Sequence, residues 1–243
     1  MTGGIVWNDS MEWDFRMNII TIDGPVGAGK STVARALAKR LGYAYLDTGA
    51  MYRAIGWKAN TSGIECNDGN MEKLCANTTL EVSMSEGLQM IFVDGKDITA
   101  EIRTPEMSRM SSIVSAYGPV RRYLVKLQRE TGLIWATQYG GVVVEGRDMG
   151  TVVFPDAMFK FFLDADIAER GKRRWKELID KGIEVELTET IKKIEERDAN
   201  DKGRGIAPLR KAEDAAMIDT TGLGLDEVVD SICRIIKISK NKN

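Results

Sequence analysis

The sequence predicts an α/β fold: a parallel sheet with helices on both faces, a small inserted antiparallel β lobe and a short lid. Three observations predict it. An apolar, β-branched run, Ile19-Ile20-Thr21-Ile22-Asp23, leads directly into Gly24-Pro25-Val26-Gly27-Ala28-Gly29-Lys30-Ser31 and then into a helix-periodic stretch from Thr32 to Leu41. Strand and helix patterns alternate along most of the remaining chain. Between about 63 and 107 that alternation is interrupted by a hairpin pattern.

In order, strand 18–23, the glycine loop and helix 30–41 form the first βα unit, and Gly42 caps that helix. Tyr43-Ala44-Tyr45-Leu46 is a short strand running into Asp47-Thr48-Gly49-Ala50-Met51-Tyr52-Arg53, which opens a helix to about residue 60. Residues 80–84 and 89–93 are two strands around a Ser-Glu-Gly turn, and Asp94-Gly95 turns again. Helix returns from Pro105 to Tyr139 and is broken near Gly118-Pro119. Residues 141–145 and 158–163 read as buried strands. Asp166-Ile167-Ala168-Glu169 has capping-box spacing and starts a helix to about 181. A second helix covers 188–198, residues 215–219 are the last strand, and 225–238 the closing helix.

Bulk properties limit the functional classes. The 243 residues suffice for one sizeable core or a core with a small lobe. A net charge of −2 supplies no basic field for nucleic acid. No apolar stretch approaches the roughly 18 residues that span a bilayer. Cys66, Cys75 and Cys233 are few and far apart, which suits a reducing cytosol better than a disulfide framework. Residues 1–17 lack the basic and apolar regions of a signal peptide and read either as a native N-terminal extension or as an upstream start.

The glycine loop fits G-x-x-x-x-G-K-[ST] at every fixed position, with a strand before it and a helix after it. Backbone N–H groups of such a loop surround phosphate oxygens, and the following helix presents its positive dipole end there. Lys30 then reaches the β- and γ-phosphates, and the Ser31 hydroxyl can ligate Mg²⁺. A phosphoryl-transfer site must also gather cations about the moving group. Arg53, Arg147, Arg170, Arg174, Arg197 and Arg204 stand near strand ends or in polar loops. Arg170 and Arg174 are four residues apart on one helix face, and Arg197 and Arg204 flank Asn200-Asp201-Lys202-Gly203, which reads as a mobile lid loop. Singly each arginine is more often a surface charge. Collectively they suit phosphate, whose oxygens the guanidinium fork matches.

The chain has no histidine. A phosphate monoester acceptor, with a second pKa of about 6, needs no base; an alcohol acceptor would want a carboxylate such as Asp47 or Asp148. Tyr52 can stack on a base or sit in the core. Glu145 either orients metal-bound water or pairs with an arginine. A kinase for another small acceptor stays open at this point. A GTPase switch would need an Asn-Lys-x-Asp guanine reader and a transporter ATPase a Leu-Ser-Gly-Gly signature, and the sequence has neither.

Several strings are more specific than the phosphate loop. They are Ile22-Asp23-Gly24-Pro25, Leu46-Asp47-Thr48-Gly49-Ala50-Met51-Tyr52-Arg53, Glu101-Ile102-Arg103-Thr104 and Glu145-Gly146-Arg147-Asp148-Met149-Gly150-Thr151-Val152-Val153-Phe154-Pro155, followed by Phe162-Leu163-Asp164-Ala165, Glu196-Arg197-Asp198 and Ala207-Pro208-Leu209. In this order, across about 18–238, the chain resembles the bacterial cytidylate (CMP/dCMP) kinase family. The resemblance implies a nucleoside monophosphate kinase fold. Its core would be 18–47, 140–190 and 207–238, its monophosphate lobe with the hairpin 48–139, and its lid 197–206.

It further implies transfer of the γ-phosphoryl group of ATP to CMP or dCMP with Mg²⁺; the protein is expected to be cytoplasmic and a monomer. Gly24, Pro25, Val26, Gly27, Ala28, Gly29, Lys30, Ser31 and Thr32 would bind ATP. Arg53, Arg147 and Arg204 would hold the acceptor phosphate, and Ser112, Arg121 and Asp148 would read the cytosine. Arg197 and Asp201 would contact the ribose, with Thr48 and Tyr52 lining the pocket. Arg170 and Arg174, with Lys30 and Arg147, would stabilise transition-state charge. Thr48 stands where the family often has serine, and Asn200 and Gly203 stand where relatives can carry arginine or asparagine.

Overall fold

β1 (Ile19–Asp23) is buried along its whole length and leads through the glycine loop into α1 (Lys30–Leu41). The computed structural model describes residues 18–240; the expected extension 1–17 lies outside the described residues. Gly42 ends α1 in the left-handed conformation, φ 69°, returning its N–H to the carbonyls of Ala38 and Lys39. β2 (Ala44–Asp47) follows. The Asp47 side chain accepts from the Ala50 N–H and so caps α2 (Thr48–Thr61).

Next comes α3 (Asp68–Ala76), a helix the sequence pattern did not suggest, because only Met71, Leu74 and Cys75 bury and Gly69 interrupts its first turn. β3 (Leu80–Ser85), β4 (Leu88–Val93) and β5 (Lys96–Asp97) form the expected antiparallel lobe. Its two-residue turns, Glu86-Gly87 and Asp94-Gly95, take positive φ at both positions, as twisted hairpins require. A 3-10 turn (Glu101–Arg103) precedes α4 (Pro105–Val114), which Thr104 caps, and α5 (Gly118–Gln138). The break expected near Gly118-Pro119 lies between those helices.

β6 (Val142–Glu145), a π turn (Met149–Val153) and β7 (Phe159–Asp164) follow. The chain then runs through α6 (Ile167–Asp180), α7 (Leu187–Gly203), β8 (Ala216–Asp219) and α8 (Leu225–Lys240). Two readings change here. α6 starts where the capping-box spacing places it, but the Asp166 side chain makes no cap bond; Glu169 pairs instead with Arg173 at 2.9 Å. α7 continues to Gly203, so Asn200-Asp201-Lys202-Gly203 is its last turn rather than a loop. Its polar composition suggested a loop, but Asp201 is buried against two arginines.

The five long-range strands make one parallel sheet in the order β2-β6-β1-β7-β8. Alternate residues of β1 point to opposite faces. Ile20 and Ile22 join Val143, Phe161 and Leu163 beneath α1 and α8. Ile19 joins Val142 and Val144 beneath the helices that lie between β2 and β6. With both faces covered, every strand has its carboxyl end at one rim of the sheet, and the chain there turns through Gly24, Thr48, Gly146 and Ala165. That rim is where parallel α/β sheets bind ligands. The β lobe shares the core beneath the sheet through Leu80, Ile91 and Val93, and one of its side chains binds the rim directly. Buried Gln89 of β4 accepts from the Asp47 peptide N–H at 2.7 Å and donates to the Asp47 carbonyl at 3.1 Å. No described helix is long and apolar enough to cross a membrane.

Candidate active site

The glycine loop has the shape its motif requires. Gly24 has φ 146°, and a Cβ there would stand 2.0 Å from the Leu163 carbonyl oxygen; Gly27 has φ 78°, and its Cβ would stand 2.6 Å from that of Arg170. Only glycine fits either place. Gly29 precedes α1 with no side-chain cap, and the first turn holds no acid. The leading N–H groups of α1 therefore remain for an anion.

Lys30 is buried, and its ammonium donates to the Pro25 carbonyl at 2.6 Å. Burial, aided by nearby Arg147 and opposed by Glu145, brings its pKa down to about 7. Ser31 Oγ donates to Glu145 Oε2 at 2.9 Å, while the Tyr45 hydroxyl donates to the other Glu145 oxygen. Burial, reinforced by Asp47, raises the Glu145 carboxyl above its ordinary range. Of the two readings of Glu145, the geometry has it facing Ser31; no arginine lies within ion-pair distance of it among the described residues. A hydroxyl beside a carboxylate is a hard oxygen set that fits Mg²⁺.

The facing wall is cationic. Arg53 pairs with Asp47 at 2.8 Å. Although burial works the other way, Arg53 and the Ala50 N–H hold the Asp47 carboxyl below the usual range. Arg147, from the turn after β6, and Arg204, just past α7, share Asp201, the former at 2.9 Å. Arg197, one turn earlier on α7, is pushed down to about 10 by burial and by Arg147. Arg121 of α5 and Asp148 form a buried ion pair, and the Arg121 guanidinium lies 5.8 Å from the centre of the Tyr52 ring. Burial raises the Asp148 carboxyl even against Arg121. Tyr52 is packed in the core, as one of its two readings has it, and it also lines the cavity. Its hydroxyl, Arg53 Nε and Arg197 Nε are buried with no partner in the protein, so polar capacity remains for a ligand.

These walls enclose one cavity of about 320 Å³. Of the residues expected from the sequence, Val26, Gly27, Lys30, Ser31, Thr48, Tyr52, Arg53, Ser112, Arg121, Arg147, Asp148, Arg174, Arg197, Asp201 and Arg204 line it. Gly24, Pro25, Ala28, Gly29 and Thr32 form the loop and helix start behind that lining. Arg170 does not join its helix neighbour Arg174. It is buried behind the loop, paired with Asp198, and donates to the Val26 carbonyl at 3.1 Å and the Ala165 carbonyl at 3.0 Å. Periodicity put both arginines on one face but could not show which side of the loop each reaches.

The sequence reading missed Arg35, Arg103 and Lys181, which also line the cavity. Arg35 lies one helical turn after Ser31 and stacks 5.3 Å from the Tyr45 ring centre; that spacing was legible. Arg103 lies within the Glu101–Arg103 turn, inside a string quoted above, and the fold brings that turn to the cavity.

The sequence profile of the cytidylate kinase family matches residues 20–238. A cytidylate kinase of Syntrophotalea carbinolica is 47% identical over 222 residues, covering 91% of this chain and 92% of that protein. One from Geobacter sulfurreducens is 48% identical over 220 residues, 90% of this chain and 92% of its own length. One from Caldicellulosiruptor saccharolyticus is 46% identical, with 89% and 94% covered. A match over nearly the full described length, at close to half identity, agrees with the cavity's two walls: the chain belongs to the cytidylate kinase family.

Proposed function

We propose that the protein transfers the γ-phosphoryl group of ATP to CMP or dCMP, releasing ADP and CDP or dCDP. The observation that carries this reading is the pairing of walls in one cavity. The phosphate loop with Lys30 stands on one side, and Arg53, Arg147 and Arg204 beside the Arg121–Asp148 pair stand on the other.

In the proposed mechanism an acceptor phosphate oxygen attacks the γ-phosphorus, and the bond to the β,γ-bridging oxygen breaks, leaving its electron pair on ADP. The acceptor phosphate is largely dianionic at neutral pH, so no base is needed. Arg53, Arg147 and Arg204 take the acceptor phosphate, which displaces their present partners Asp47 and Asp201. Asp201, once released, accepts from a ribose hydroxyl beside Arg197. Asp148, held by Arg121 near Ser112, accepts from the cytosine amine; uracil, with a carbonyl there, would leave a buried acceptor facing an acceptor. Lys30, Arg147 and Arg174 balance charge on the transferred group. Mg²⁺ carried with the triphosphate would neutralise phosphate oxygens next to Ser31 and Glu145. Arg170 keeps the loop in shape from behind. Residues 197–206, mostly the end of α7, would serve as the lid.

A coupled ADP-release assay with CMP, dCMP, UMP, AMP and shikimate tests the reading. Turnover with CMP or dCMP well above the others is expected. CMP and dCMP turnover no faster than ATP hydrolysis by water would refute it.

A further inference from the structure

Asp23 is the last residue of β1 and stands directly before the phosphate loop, yet its side chain hydrogen-bonds to a different segment. Its two carboxylate oxygens accept from two successive peptide groups 126 and 127 positions away: Met149 N–H at 2.9 Å and Gly150 N–H at 2.8 Å. Four residues earlier in that same turn, the Gly146 N–H donates to the Ile22 carbonyl at 3.0 Å. The turn is thus pinned to the end of β1 at both ends, and Arg147 and Asp148, the two residues between the pins, line the cavity.

The fit around this contact is close. A Cβ on Gly150 would stand 3.1 Å from Thr21 Oγ1 and 3.4 Å from Asp23 Oδ2. No ion pair reaches Asp23 among the described residues. Lys160, whose stem would stand 3.2 Å from a Cβ on Gly150, is turned to the Pro155 carbonyl and Asp214. A carboxylate buried without a counter-ion is costly. Burial pushes this one up to about 6, with the two N–H groups pulling it down and Asp148 pushing it further up. The two peptide N–H groups are its direct partners, and the charge of Lys30 also favours its ionised form.

From this geometry we infer that Asp23 is a positioning residue that fixes Asp148 and Arg147 for the acceptor nucleotide, tying the acceptor half of the site to the strand that carries the donor half. The inference rests on the proposed function. It requires acceptor discrimination, and not merely stability, to depend on Asp23.

The test is Asp23→Asn, which keeps the shape but sets an amide donor against one of the two N–H groups. KM for CMP should rise about tenfold with KM for ATP within about twofold, and the preference for CMP over UMP should fall. Gly150→Ala presses the same turn from the opposite side and should give the same split, which covers the case of an Asp23→Asn chain that does not fold. Unchanged CMP KM and unchanged CMP-to-UMP preference in a folded variant would overturn the inference alone, as would both KM values rising in parallel. Absence of CMP turnover in the unaltered protein would overturn it together with the functional reading.

Discussion

Lys30 and Pro25 are joined by a hydrogen bond of 2.6 Å within a single loop, from the ammonium to the carbonyl oxygen. The lysine therefore has a resting acceptor of its own, but a neutral one, and burial leaves its pKa near 7 rather than 10.5. Burial thus favours the neutral amine in the folded protein more than in the unfolded chain. The sign follows: the unfolded chain binds more protons between about 7 and 10.5, so the lysine's contribution to stability improves as pH rises through that window. Phosphate oxygens would restore the charge. Calorimetry of ATP binding at pH 8, in buffers of different ionisation enthalpy, should show proton uptake that disappears in Lys30→Ala. That variant should also lose about 100-fold or more in kcat. Buffer-independent heats would contradict the assignment.

Asp148→Ala should act on two properties at once. It removes the proposed base reader, so KM for CMP should rise far more than KM for ATP in steady-state kinetics. It also leaves the buried Arg121 guanidinium without its carboxylate, which should cost about 3–5 kcal/mol in denaturant unfolding. The paired change Arg121→Met with Asp148→Leu should recover most of that stability and none of the CMP affinity. Recovery of both would mean that the pair serves only the fold.

Ser31→Ala removes the hydroxyl that faces Glu145. The half-saturating Mg²⁺ concentration for turnover should rise by about tenfold, with KM for CMP little changed. A chelator should abolish activity of the unaltered protein. An unshifted Mg²⁺ curve would remove Ser31 from the metal-side assignment.

Gly171→Ala probes the seam between α6 and α7. A methyl at that position would stand 2.4 Å from Ile191 Cγ1, so the Ile191 side chain or the helices themselves must shift. The expected cost is about 1–3 kcal/mol in unfolding experiments. Because α7 carries Arg197 and Asp201, KM for CMP should rise alongside it.

How much was legible in the sequence depended on how local the cause was. β1, the glycine loop and α1 are specified by adjacent residues, and both β-lobe turns carry their own glycine, so they were read directly. α3 was missed because so short and polar a helix forms through packing on α5 rather than through its own pattern. The last turn of α7 was misread because Asn, Asp and Gly favour loops in isolation, while ion pairs from Arg147 and Arg204 hold it helical here. The cavity residues within named strings were legible. The anchoring contacts of Asp23, Tyr45 and Gln89 were not, since each joins segments more than 40 residues apart. Arg170 shows the same limit in reverse: its spacing was read correctly, and tertiary packing decided where it faced.

The grip of Gln89 on the Asp47 peptide has a consequence beyond catalysis. β2 is an outer strand, and its far side would otherwise offer free backbone donors and acceptors to any passing strand. One glutamine occupies both peptide groups at the end of that strand, and the β lobe stands over it. The lobe thereby covers the end of an open sheet edge. Trimming it to obtain a smaller enzyme would bare that peptide as a template for strand addition between copies, and light scattering of the trimmed protein should show association.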